Sequence, residues 1–569
     1  MKKKILLITC LSLICVSLTS CKTISDILSG GYISNSSDGP IVASSRQPIV
    51  DISTPPADNI EATRASKNYM DYINNNAYPL SATPSDGNAK LLIIPVWFNN
   101  SNRFIKEANK DSVKQDIHDT YFANNVDTVT KLEKTTGWHS VKTYYETESF
   151  GALNIDGVVS DWYEIDKSYT YYGNDPADDY SSAPKTTSLV EEATNWYFSN
   201  NPEENKTDYD CDKDGYLDGV MLIYAAPDYV TLNNDRYDNF WAYCYWIQDY
   251  SAQNTANPGV NAFFWASYDF MYGKEVASSR SGNNYHAGDT SHCTLDAHTY
   301  IHEMGHMFGL EDYYDYSEHG YFPAGGFSMQ DYNVGGHDPF SSFALGWGKA
   351  YIPSGNATID LYPFATTGEM IILSPGWNAY NSPFDEYLIL EYYTDQGLND
   401  LDSTYGYMSQ YRKQYPMGTK DYGIRVWHVD ARLLYTSTGA FSKNKLTTNP
   451  NITTGRVALL TSNTFDDGTD YTRQYLSPLS QDPTKSYYDK TFADYSLLQL
   501  IRNVTTITTK TTNKFDSSSL FKNGDTFTMN NYKKQFANSG KLDSGLDLGF
   551  EFVVNACNHD KASITVKKL

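Results

Sequence analysis

"HTYIHEMGHMFGLEDYYDY", residues 298–316, sets His298, His302 and His306 four residues apart around Glu303, then a glycine and a run of acids. On an α-helix, side chains at i and i+4 stand on nearly the same face, about 6 Å apart along the axis. His302 and His306 can therefore grip one metal ion, which is the mechanical content of H-E-x-x-H. Glu303 lies one residue on, roughly 100° round the helix, beside the ion rather than on it. A carboxylate placed there can take a proton from water without displacing that water. Asp296 is the expected N-cap, and Gly309 the expected C′ residue, of a helix of about three turns.

Beyond Gly309 the chain can swing back under the ion. Asp312 then arrives at third-ligand spacing, giving H-E-x-x-H-x-x-G-x-x-D. Three residues span at most about 10 Å, enough to return from the helix end to the metal. A third ligand from a downstream helix would be a glutamate, and none stands between Glu318 and Glu369. Glu311 and Asp315 miss the spacing. His298 could pair with His302, but Glu303 and Gly309 are phased to His302 and His306, so His298 reads as a supporting or core residue. His292, His319 and His337 lack partner spacing and read as loop histidines. The glycine-rich turn "PAGGFSM" ends in Met329 and resembles the Met-turn that floors the zinc site of metzincins. Tyr332, just after it, is a candidate oxyanion donor.

Upstream, "KLLIIPVWF" (90–98), "GVMLIYAA" (219–226) and "NAFFWASYDF" (261–270) predict buried strands. "GWHSVKTYYETES" (137–149) and "TTSLVEEATNWYF" (186–198) predict helices. This interleaving predicts an α+β unit. After "FSSFALGWGKAYIP" (340–353), short apolar strands recur between Gly, Asn, Asp and Thr clusters, from "ATIDLY" through "EYLILEYY" and "GIRVWHV" to "SITV". Many short strands without helical periodicity predict a β-sandwich. The reading is an α+β zincin-type, metzincin-like catalytic domain over 89–350, followed by a β-sandwich-rich region over 351–569.

The N-terminus carries its own signal. Lys2, Lys3 and Lys4 precede the apolar run Ile5–Leu18, and "LTSC" (18–21) resembles a bacterial lipobox. Residues 1–20 read as a lipoprotein signal peptide, shorter in its apolar run than the roughly 20 residues a membrane span needs. Cys21 is then the lipidated residue, and localisation is extracytoplasmic, anchored to the bacterial membrane or cell surface. Residues 21–88, rich in Ser, Gly, Pro, Asn and Asp, read as a tether, with one helix expected near "NIEATRASKNYMDYI" (59–73). Net charge is −24, which leaves no basic surface for a nucleic-acid partner. Of the remaining cysteines, Cys211, Cys244, Cys293 and Cys557 read equally as free thiols or as holding one disulfide.

A second acidic constellation, "DYDCDKDGYLDG" (208–219), alternates Asp210, Asp212 and Asp214 before Gly215, with Asp218 four residues after Asp214. Its start matches a Ca²⁺ loop, but Met221 stands where an EF-hand needs its bidentate glutamate. An EF-hand is excluded, and two readings stay open: a calcium-stapled turn and a solvated acidic turn.

"HEMGHMFGLEDYYD" resembles the zinc motif of the immune inhibitor A family of secreted bacterial metallopeptidases. The resemblance extends to "SVKTYYETESFGALNIDG", "DYDCDKDGYLDGVMLIY", "ALGW", "EYLILEYY" and "GIRVWHVD", roughly 90 to 435. It implies a zinc-dependent endopeptidase with protein or peptide substrates and a β-rich domain after the catalytic one. By chemistry and resemblance together, His302, His306 and Asp312 bind Zn²⁺ and Glu303 is the general base and acid. The lipobox and the short N-terminal segment depart from the family pattern. Two other readings compete: a lipoprotein binding module for glycans or proteins with a non-proteolytic zinc site, and a zinc enzyme acting on a non-peptide amide. The intact Glu303 speaks against the first.

Overall fold

The computed structural model describes residues 63–64, 83–124, 139–174, 183–233, 237, 239–247, 253–272, 295–314, 322–380, 382–404, 418–436, 445–450, 456–460, 464–466, 471–473, 495–505 and 514–569. Cys21, Cys293, His292, Asp315, Glu318 and His319 lie outside the described residues.

Strand β1 (Gly87–Phe98) is buried without a break from Leu91 to Phe98. Such a run, branched or aromatic apart from Pro95, suits the middle of a parallel sheet with both faces covered. Around it are β2 (Leu153–Val159), β4 (Val220–Tyr224), β5 (Tyr243–Trp246) and β6 (Ala262–Ser267), in the order β2-β1-β4-β6-β5. A short β3 (Tyr163–Ile165) also pairs with β1. All pairings are parallel except that of β5, which runs antiparallel along the edge.

Alternate residues of each strand face opposite sides, and two cores result. Leu92, Ile94, Val220, Leu222 and Trp265 pack with Leu189, Val190 and Tyr197 of α3 (Ala183–Asn200). On the other side, Leu91, Ile93, Met221 and Phe264 pack with α1 (Lys110–Phe122), α2 (Val141–Glu148) and α4 (His298–Met307). The helix α2 starts at a capping box in which Ser140 and Thr143 satisfy each other's backbone amides. The predicted strands and the two predicted helices form within a few residues of their expected limits. Helix α1 and edge strand β5 carried no usable signal, because both are short on clean periodicity.

Beyond residue 348 a second sheet takes over. Its described order is Thr63–Arg64, β7 (Lys349–Tyr351), β9 (Glu369–Leu373), β10 (Glu386–Tyr393), β11 (Gly423–Asp430) and β12 (Leu498–Ile501). The pairing of Thr63–Arg64 with Ala350 and Lys349 corrects the helix expected near 59–73 at those two residues, which join a sheet edge instead. A four-stranded sheet runs Thr526–Phe527, β13 (Phe550–Cys557), β14 (Ala562–Lys568) and β8 (Ala357–Leu361).

Every residue of β10 and β11 is buried, because the sheet is covered on both faces. Leu388, Leu390, Ile424 and Val426 share a core with Phe552, Val554 and Ile564 of the four-stranded sheet. Tyr387, Ile389, Tyr393 and Trp427 belong to the same core as Met304, Met307 and Met329. The sheet after residue 348 is therefore packed against the layer that carries the zinc-type motif.

Candidate metal centre

Helix α4 carries the two imidazoles. Ala297 holds its cap position, and Asp296 contributes from one residue earlier by accepting the His298 amide at 2.9 Å, which shifts the expected N-cap by one residue. At the other end Gly309, at φ +90°, turns the chain in the left-handed region. The Leu310 amide bonds the Gly305 carbonyl and the Gly309 amide that of His306, the paired bonds of a Schellman stop. That stop brings Asp312 back over the helix face.

The imidazoles are oriented by main chain. His302 Nδ1–H donates to the Met329 carbonyl at 2.7 Å, and His306 Nδ1–H to that of Leu310 at 2.8 Å. A carbonyl only accepts, so in the neutral imidazole these bonds leave each Nε2 as the lone pair that a metal can take. Both Nε2 atoms face Asp312 Oδ1, at 2.9 and 3.3 Å. The rings stand 4.9 Å apart at 90°. All three side chains are among those whose ligand atoms lie within 4.8 Å of one another. Burial works against charge on His306, but the Asp312 carboxylate outweighs it and lifts its pKa to about 10. Burial would raise Asp312 too, yet the His306 and His302 rings hold it well below the usual carboxylate range. The carboxylate is poised for a positive charge at that point, and two nitrogens plus one oxygen are a zinc donor set.

Glu303 is 7% exposed. Burial raises its pKa above the ordinary carboxylate value, opposed by His306 and His302 and by an amide bond from Cys244 on edge strand β5. Met329 opens the short helix α5 (Met329–Tyr332) and is fully buried. Gly305 matters for packing, since a Cβ there would stand 2.2 Å from the Gln330 side-chain oxygen.

Residues 89–329 match the catalytic domain of the immune inhibitor A peptidase M6 family. That segment is therefore similar to a metallopeptidase catalytic domain. Pre-pro-metalloprotease PrtV from two strains of Vibrio cholerae serotype O1 is 25% identical over 194 residues, 31% of this chain. The chain spans 19% of the length of those relatives.

The other expected residues fall in different places. Tyr332 is half-buried, with its ring 6.3 Å from that of Tyr314, which lies 6.4 Å from His302. His337 does lie in a loop, just before Pro339, but it is 1% exposed, against Tyr144, Tyr145 and Trp347, and burial pushes its pKa down to about 3. In the acidic loop, Asp210, Asp212 and Asp218 bring carboxylate oxygens within 4.8 Å of one another. Asp214 is not in that group, and its carboxylate accepts the Tyr216 amide at 2.8 Å. Asp218 accepts the amides of Cys211 and Lys90 at 2.9 and 2.8 Å. Burial first, then Asp212, lifts Asp214 to about 8, and burial lifts Asp218 to about 7. Cys211, Cys244 and Cys557 are free thiols.

Three contributors escaped the sequence: the Met329 carbonyl, the Cys244 amide and Asp402. Two are main-chain groups, which residue identity does not advertise. The third, 104 positions from His298, has no spacing to read.

Proposed function

We propose that the chain is a zinc-dependent endopeptidase hydrolysing peptide bonds in extracellular proteins, with His302, His306 and Asp312 as ligands and Glu303 as general base and acid. The observation that carries the reading is the convergence of both Nε2 atoms on Asp312 while both Nδ1–H groups are spent on carbonyls. When bound, zinc supplies a Lewis acid that acidifies water and polarises the scissile carbonyl. Glu303 receives the proton of the attacking water and delivers it to the leaving amine. Its burial supports the second half of that cycle, because a raised pKa lets the carboxyl hold the proton between steps. Edge strand β5 holds Glu303 in place through the Cys244 amide. Tyr332 is the candidate donor to the developing oxyanion, by its position just after the turn. Glu303→Gln should keep near-stoichiometric zinc and lose about 10²–10⁴-fold in cleavage. Casein cleavage beside metal analysis tests this, and near-wild-type turnover would end the assignment.

The reading extends to the rest of the chain. Residues 89–350 form the catalytic unit, and the six- and four-stranded sheets, most of whose strands fall within 351–569, form a β-sandwich, a reading supported by the core their facing strands share. Asp210, Asp212 and Asp218 form a structural calcium site, with Asp214 contributing through the turn's backbone. Cys21 is lipidated after removal of 1–20, as the "LTSC" sequence supports, anchoring the enzyme outside the cytoplasm. Among the described residues no helix is long and apolar enough to cross a membrane. Cys21→Ser should block lipid modification and impair processing at that site, and an unlipidated wild-type Cys21 or a mature N-terminus elsewhere by mass spectrometry would end the anchoring idea.

A further inference from the structure

We infer that Asp402, on the short helix α6 (Asn399–Thr404) of the second region, is a positioning residue of the metal centre. Its carboxylate ties the helix that carries His302, Glu303 and His306 to the turn that carries Met329. The inference rests on the proposed metal site, though not on what the enzyme cleaves.

The contacts form a closed circuit. Asp402 is 4% exposed. One of its oxygens accepts the Gly335 amide at 2.7 Å. Both lie at hydrogen-bond distance from His298 Nε2, 3.3 and 3.2 Å. The opposite nitrogen of His298 meets Asp296 Oδ1 at 2.7 Å. His298 sits one helical turn before His302, so gripping its ring fixes both the rotation of α4 and its position along its axis. On the other arm, Gly335 leads into Gly336, whose carbonyl accepts the Met329 amide at 3.1 Å. The Met329 carbonyl in turn orients His302. Asp402, His298, His302, Met329 and the Gly335–Gly336 backbone thus close on one another, with a metal ligand in the ring.

Other parts of the second region hold the same turn. The Leu500 amide bonds the Pro323 carbonyl at 2.7 Å, and the Phe515 amide that of Gly325 at 2.6 Å. Arg425 donates to the Phe327 carbonyl at 3.3 Å. Asp402 differs from these because it reaches the metal helix as well as the turn. A buried carboxylate–imidazole pair is a weak source of net stability, since desolvation offsets most of the attraction. It is, however, directional. Groups that orient metal-bound histidines typically change metal affinity or activity 10–100-fold when removed.

The test uses the full chain, with zinc and cobalt(II) as probes. Asp402→Ala should weaken zinc retention against a chelator by about 10–100-fold and alter the visible spectrum of the cobalt-substituted protein. With casein as substrate it should lower kcat with KM within about twofold, because Asp402 is buried at 4% exposure. Asp402→Asn, which keeps an acceptor for Gly335, should recover part of each loss. If Asp402→Ala fails to fold, His298→Gln reads the same quantities with one link of the circuit cut. Wild-type zinc affinity and an unchanged cobalt spectrum in the folded variant would overturn the inference, as would losses that merely track the folded fraction. A wild-type protein that binds the metal but cleaves no peptide sinks the proposed function alone, because the metal readouts still decide the role of Asp402.

Discussion

Among the described residues, two groups of histidine and carboxylate side chains bring three ligand atoms within 4.8 Å of one another, and they are built from the same kinds of side chain to different ends. In the first, His302, His306 and Asp312 converge, and each imidazole has already given its Nδ1–H to a carbonyl. In the second, on the sheet beyond residue 348, His428 Nε2 donates to Glu386 at 2.8 Å beside Asp543. Glu386 there also accepts the amides of Asp543 and Ser544. Arg432 lies 3.7 Å away and makes a two-point pair with Asp430. Proximity of ligand atoms is common to both clusters. What separates them is how the other lone pairs and protons are used. The second is internally paired, with an arginine supplying positive charge. The first aims two imidazole nitrogens and a carboxylate at one point. The difference teaches that a metal centre is recognised by what its ligands have already hydrogen-bonded to, more than by how close they are.

The sharpest way to break that comparison is to remove one member of each cluster. Asp312→Ala should lose zinc on dialysis and abolish cleavage, whereas Asp312→His should keep metal and shift the pH dependence of activity. Zinc bound as tightly by Asp312→Ala as by wild type would show that the convergence seen here is an ion pair like the other one. His428→Gln should leave zinc at one per chain and cleavage per folded molecule unchanged, while lowering unfolding free energy by about 3–5 kcal/mol, the range for a broken buried pair. A second equivalent of zinc in the wild type, lost in His428→Gln, would erase the distinction.

Acidity offers a finer probe. Burial opposes a charge on His428, but its bond to Glu386 outweighs this and raises its pKa above the ordinary value. Its stabilising contribution is complete below the unfolded value near 6.5 and fades as pH rises through the folded one. Burial likewise opposes Glu386, and His428 holds it down to about 2. That contribution is present above about 4.5 and fades as pH falls toward 2. Urea melts should therefore find this network strongest between about pH 4.5 and 6.5, and His428→Gln should flatten the alkaline decline. An unaltered decline in the variant would place its origin elsewhere.

The smallest expected effect belongs to the acidic loop, whose carboxylates lie near one another but are partly satisfied by the turn's own amides. Calcium at a hundred times its dissociation constant should add about 2.7 kcal/mol to the zinc-loaded protein. Thermal melts with and without calcium read this directly. Identical midpoints would place the loop beside the Glu386 cluster as a paired network that takes no ion.

Much of the first region was legible because its signals are local. Uninterrupted apolar runs such as Leu91–Phe98 predict strands buried on both faces, and the two cores on either side of β1 are the result. The spacing of His302, Glu303, His306, Gly309 and Asp312 carries its geometry in the helical repeat and one glycine. Helix α1 and strand β5 were not legible, nor was the true setting of His337. Their burial depends on which distant segments cover them: α1 on the sheet, β5 on α4, His337 on Tyr145 and Trp347. Asp214 was grouped with its neighbours by alternation alone, but the turn directs its carboxylate to the Tyr216 amide.

By itself the sequence determined the helix that carries His302 and His306, its stop and the identity of the converging side chains, because i to i+4 geometry and a left-handed glycine act over about ten residues. It also determined that the chain after residue 348 would be made of short strands. Only the tertiary structure decided that the second sheet is pressed against the metal layer, and that Asp402 reaches His298 across 104 positions. Only it decided that the Met329 carbonyl, rather than any residue type, sets the tautomer of His302. The physical reason is that backbone groups and long-range carboxylates acquire partners only when separate segments pack, and no local periodicity encodes which ones meet.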